Sequence, residues 1–161
     1  MDMITFLVNG IFFLFVFVDS LKQKKYHYTF AAVISLLYYV FSVLQNRYEL
    51  VENAALFGWI QKIMLVILAG NLIMAFAKFN NKKKDLPAVI FACIACVFRF
   101  LRSAVFHLLT AKIHAPGADV QMIYQKYYTY YEIIDAVVKV ALVLMFFCMA
   151  WQLGKPRDNN R

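Results

Sequence analysis

The sequence predicts an all-α fold, a polytopic transmembrane helical bundle of five spans that forms a single domain over residues 1–161. Three observations carry this. First, 63% of the residues are hydrophobic and only 16% charged, whereas a soluble domain runs near 45–50% apolar and about 25% charged. The mean hydropathy is +0.64, and one core of this size does not hide so much apolar surface, because a domain of about 150 residues still exposes roughly 30% of its own. Second, the apolar residues gather in five long stretches. Third, Lys and Arg fall in short runs between alternate stretches. A soluble globular domain and a disordered chain are both excluded.

A hydrocarbon layer of roughly 30 Å takes about 20 helical residues. The spans are placed at 4–21, 28–44, 54–79, 86–109 and 131–153. They are too long and too unalternating for barrel strands. The first reads as a retained span rather than a signal peptide. Met1-Asp2-Met3 is acidic, and the apolar run from Ile4 to Val18 ends in Asp19-Ser20-Leu21-Lys22 without a small-residue cleavage site. The third span is long enough to tilt. In the fourth, Asp85 is placed as N-cap and Pro87 in the first turn, where its missing N–H costs nothing.

One substantial loop is expected, Thr110–Tyr130, broken at Ala115-Pro116-Gly117. Within it Val120, Ile123, Tyr124, Tyr127, Tyr128 and Tyr131 recur at helical spacing, with Gln121, Gln125, Lys126 and Thr129 opposite. This predicts a Tyr-rich amphipathic outer helix before the last span, starting near Asp119. It either lies in the outer headgroup layer or extends the fifth span. Its aromatic face, Tyr124, Tyr127, Tyr128 and Tyr131, reads as an interfacial belt or as an outer docking surface.

The distribution of cations sets the direction. The segments 22–27, 78–85 and 155–161 carry ten Lys/Arg: Lys22, Lys24, Lys25, Lys78, Lys82, Lys83, Lys84, Lys155, Arg157 and Arg161. The opposite segments carry three: Arg47, Lys112 and Lys126. Five alternating spans put every basic run on one side, giving an outside N-terminus and a cytoplasmic C-terminus. The net charge of +8 is therefore a topology signal, and no nucleic acid is expected as a partner.

The informative residues are ionisable ones inside the spans. Counted along the helices, Lys62, Arg99, Arg102, Asp135 and Lys139 lie roughly 6 to 15 Å below the outer surface, with Glu132 near the rim. This intramembrane charge layer joins the third, fourth and fifth spans. Snorkelling is the alternative for Lys62 and Lys139; Arg99 is the deepest cation. The excess of positive charge predicts either a closed ion-pair network, completed by Glu49 and Glu52 from the preceding loop, or an outward-facing basic pocket for an anion or an anionic lipid headgroup. Ala88, Ala92, Ala95 and Ser103 share a stripe with Arg99 and form a helix-packing face within or between subunits. Gly58 and Gly70, with Asn71, give a weaker version of that signal.

Other motifs carry less. Arg99-x-x-Arg102 is too short an array for a voltage sensor. Cys93-x-x-Cys96 and Cys148 read as small buried residues, since no outer cysteine pair accompanies them. His27, His107 and His114 lie on opposite sides of the bilayer, so no cofactor and no metal site are expected. No phosphate loop, nucleophile elbow or carboxylate dyad stands in the chain, and enzymatic activity is not expected. The function expected is that of a non-catalytic integral membrane subunit. It assembles through its helices into a homo-oligomer or a hetero-complex, and its basic cytoplasmic turns contact anionic lipid or a cytoplasmic partner. The alternative is an oligomeric channel or transporter whose outer charge layer selects anions. The location is a multi-pass membrane position, in the inner membrane if the source is bacterial.

Overall fold

The computed structural model describes residues 2–47, 54–78, 82–114 and 119–154, with side chains described from residue 10 onward except at 43–47, 54–55 and 82–84. Five helices follow one another: α1 (Asp2–Lys22), α2 (Tyr26–Arg47), α3 (Ala54–Lys78), α4 (Lys82–Ile113) and α5 (Val120–Gly154). There is no strand among the described residues. Three of the five, α3, α4 and α5, are long and apolar enough over their described residues to cross a membrane.

The helices form a closed ring. Each packs on the next in sequence, α1 closes back onto α5, and a narrow α2–α5 contact crosses the middle. Side-chain contacts fix the directions. Gln23 at the end of α1 reaches the Leu153 carbonyl at the end of α5, so those two helices run parallel. Lys62 early in α3 meets Ser103 late in α4, and Lys112 at the end of α4 lies over Tyr127 early in α5, so both pairs are antiparallel. Direction therefore alternates along the chain, as short connections between packed helices require.

Packing is small against large. Ala31 and Ala32 of α2 and Ala88, Ala92 and Ala95 of α4 are buried, and α5 fills the space they leave with Leu142, Met145, Phe146 and Met149. Meanwhile Ile11, Met74 and Val97 are 69%, 69% and 63% exposed. Apolar residues at such exposure on a ring of helices form the surface that a lipid solvent would cover.

Two boundaries differ from the sequence expectation. α4 begins at Lys82, so Pro87 is its sixth residue rather than in the first turn, and Asp85 is inside the helix rather than its N-cap. The lysine run is itself helical backbone, and the proline removes only the bond to the Lys83 carbonyl. The long loop shrinks as well, because α4 runs on to Ile113 and α5 starts at Val120. Asp119 caps that start, its Oδ1 accepting from Met122 N at 3.1 Å. Of the two placements open to the tyrosine-rich segment, the structure shows the extension of the fifth span: it is the first third of α5, with no break before the apolar stretch. Glu49, Glu52, Ala115-Pro116-Gly117, Lys155, Arg157 and Arg161 lie outside the described residues.

Candidate functional site

The ring brings Lys62, Arg99, Arg102, Asp135 and Lys139 to one end of the bundle. Asp135 is the hub. It accepts from Arg102 Nη1 at 3.2 Å and from Lys139 Nζ at 3.0 Å, the latter one helical turn away on α5. The Arg102 guanidinium also lies over the Tyr131 ring, 4.1 Å from its centroid, where the aromatic face attracts a cation. Glu132 is exposed beside Tyr128 and turns away from this hub.

Lys62 is 9% exposed. Its ammonium donates to Ser103 Oγ at 2.7 Å and lies over the Trp59 ring at 4.2 Å, with Phe100 at 5.9 Å. Trp59 and Phe100 are themselves 58% and 44% exposed. Two rings and a hydroxyl thus shield the charge at the bundle's edge, so the lysine folds under its own aromatic neighbours instead of extending past them.

Arg99 is 6% exposed, and its Nη2 donates to the Gln61 side-chain oxygen. Gln61, on α3, is 1% exposed. Around this pair stand Tyr38, Tyr131, Asp135 and Arg102, each near enough to act on the guanidinium electrostatically. The Nε atoms of Arg99 and Arg102 are both buried without an acceptor. The layer therefore contains four cations and one inward carboxylate among its described residues.

The alanine stripe is consumed inside the chain, since Ala88, Ala92 and Ala95 are 1%, 0% and 0% exposed in this single subunit. Gly58 and Gly70 mark no close helix approach, because an added Cβ at either would meet nothing within 4 Å. The aromatic face divides in two. Tyr127 and Tyr131 turn toward α4, where Lys112 Nζ lies 5.9 Å from the Tyr127 ring and Phe106 packs on Tyr131. Tyr124 and Tyr128 stack on each other with centroids 5.4 Å apart, and with Tyr130 they stay about half exposed.

A second polar layer, at the other end of the ring, was not legible as a unit. Tyr28 of α2 donates to Asp85 of α4, Asn71 of α3 donates to the His27 carbonyl at 2.9 Å, and Ser20 of α1 shares a 2.7 Å bond with Thr29. Gln23 adds the link to α5. All five helices are tied there. The available signal was a polar residue at or near the matching end of each of the first four apolar stretches; the fifth enters through a backbone carbonyl. Burial holds the His27 imidazole below its ordinary value, with Asp85 opposing that shift and Lys25 adding to it.

Cys93, Cys96 and Cys148 are free thiols packed against the core. Neither geometry nor composition attaches a known chemistry to the cation layer. Comparison with protein-family models, curated proteins and solved structures gives no match.

Proposed function

We propose that the chain is a non-catalytic integral membrane subunit that crosses the bilayer five times and assembles with other chains, or with copies of itself, through its helices. The crossing number rests on the alternating ring. α1 and α2 contain 21 and 22 residues, or about 31 and 33 Å of helix, which matches a hydrocarbon core of roughly 30 Å. The alternation also brings the lysine turn after α1, the start of α4 and the end of α5 to a single end of the bundle. With that end cytoplasmic, the basic runs follow the usual charge bias and face anionic lipid or a cytoplasmic protein.

The observation that carries assembly is the length of α5. Its 35 residues rise about 52 Å, while a bilayer with both headgroup layers measures roughly 40–45 Å. The surplus, about 7–12 Å or five to eight residues, takes in Met122 and Tyr124, 64% and 51% exposed, and leaves Tyr128 and Tyr130, 44% and 50% exposed, at headgroup depth. This aromatic face at the membrane border offers contact area and hydroxyl donors to another protein. The alanine stripe, being filled, contributes nothing to this interface.

Native mass measurement in lipid nanodiscs tests the reading. Multiples of 18.7 kDa or an added foreign chain support it, and Tyr124→Ser with Tyr128→Ser should reduce the assembly to single chains. A lone subunit in the wild type overturns it. The channel alternative is favoured only if the assembled protein conducts anions and neutralising Arg102 removes the flux without changing the mass.

A further inference from the structure

We infer that Arg99 and Arg102 form a binding site for a phosphoryl oxyanion, with Lys62 and Lys139 at its margins. The charge balance of the layer leads there. Among the described residues, Asp135 is the inward carboxylate of a layer that holds Lys62, Arg99, Arg102 and Lys139, and it is already divided between Arg102 and Lys139. Arg99 is 6% exposed and its acceptor is the neutral Gln61 amide. A guanidinium has five N–H donors and stays charged in any protein setting.

The second observation is the pair of orphan donors. The Nε atoms of Arg99 and Arg102 are buried and unpartnered, and the two residues stand one turn apart on α4. Buried polar atoms without partners are rare, and an absent ion is one of the few explanations for them. Here two such donors belong to neighbouring cations, one of which is bound to Asp135.

Phosphoryl chemistry suits the arrangement better than a spherical anion does. Tetrahedral oxygens accept from two guanidinium forks at once, whereas a halide offers one point of contact. Access lies on the α4–α5 side, where Arg102, Asp135 and Lys139 side chains retain 17%, 22% and 29% exposure. The oxyanion enters past Arg102 and takes over from Gln61 as the acceptor of Arg99. Either a lipid phosphodiester or free inorganic phosphate supplies this group.

Thermal melting of the full chain in a neutral maltoside at fixed ionic strength distinguishes them. Probes are short-chain phosphatidylglycerol, the matching diacylglycerol without phosphate, inorganic phosphate and chloride. The midpoint should rise by about 5 °C with a saturating phosphoryl species and stay unchanged with diacylglycerol or chloride. A shift with the lipid alone assigns the headgroup as ligand; a shift with inorganic phosphate assigns the free anion. Arg102→Lys and Arg99→Lys keep the charge but lose the fork, and each should cut the shift by at least half. If Arg99→Lys fails to fold, Arg102→Lys and the count of lipid-mass adducts on the wild type by native mass spectrometry decide alone. No shift with either phosphoryl probe, or an undiminished shift in Arg102→Lys, overturns the site.

Discussion

Arg99 of α4 reaches across to Gln61 of α3, so the more deeply buried of the two described guanidinium groups rests on a neutral amide. A charge in that position is held mainly by dipoles and aromatic neighbours. Such an arrangement stabilises little, yet it becomes costly when half of it is removed.

That asymmetry gives the first prediction. Gln61→Leu takes away the acceptor and leaves the guanidinium buried, so stability should fall by about 2–4 kcal/mol. Arg99→Met removes the charge and keeps most of the volume, so the change should be below about 1 kcal/mol in either direction. Unfolding in phosphate-free neutral detergent measures both. Equal losses for the two variants would show that the pair contributes to stability as a conventional ion pair does.

Asp135 bonds to two cations, and its replacement should reveal their unequal weight. Asp135→Asn strands Arg102 and Lys139 together and should cost about 2 kcal/mol, the usual figure for a broken buried pair being reduced by partial exposure. Lys139→Met removes an i,i+4 contact and should cost only a few tenths of a kcal/mol. A double-mutant cycle of Arg102→Gln with Asp135→Asn should return most of the coupling.

The fold was readable because long apolar stretches of about 20 residues favour helices, and each predicted stretch became a helix of the ring. The cation layer was readable for a related reason: charged residues in an apolar run stand out. What escaped notice were neutral partners. Gln61, Ser103, Trp59 and Tyr131 complete the layer, but in the sequence they resemble ordinary span residues, and only packing assigns them to Arg99, Lys62 and Arg102. Asp85 misled for a local reason. A carboxylate two residues before a proline imitates an N-cap, while its actual partner, Tyr28, is 57 residues away. Glycine imitated a packing face at Gly58 and Gly70, where the neighbouring helices leave open space.

The turn after α1 offers a stabilising change. Lys24 has a φ of 57°, while Lys25 N bonds to Ser20 O at 2.8 Å and Lys24 N to Leu21 O at 3.1 Å. These are the bonds of a helix end whose left-handed residue is most often glycine. Lys24→Gly relieves the crowding of Cβ and should raise stability by about 0.5 kcal/mol after the larger entropy of the unfolded glycine is subtracted. Gln23→Ala, which breaks the link to Leu153, should lower it by about 1 kcal/mol.

His27 sets a pH dependence of known sign. Its folded value lies below 6.5 because burial favours the neutral ring over the attraction of Asp85. The unfolded chain thus binds the proton more readily, and the contribution to stability is complete above pH 6.5 and lost as pH falls below it. The melting midpoint should decline from pH 7.5 to pH 5.5 in the wild type, and His27→Gln should flatten that slope. A midpoint that rises on acidification would oppose the assignment.

The crossing number has the most direct test. Lys24 and Tyr124 are separated by α2, α3 and α4. If all of these span the bilayer, the two residues face opposite compartments. If only α3, α4 and α5 span, two crossings separate them and both face the same side. A background with Cys93, Cys96 and Cys148 replaced by Ser, carrying Lys24→Cys or Tyr124→Cys, reads the difference with a membrane-impermeant maleimide. Five crossings predict that Tyr124→Cys labels in intact cells and Lys24→Cys only after permeabilisation, because the lysine turn lies with the basic end of the ring. Labelling of both from outside would place α1 and α2 on the membrane surface and leave three helices to hold the charge layer in lipid.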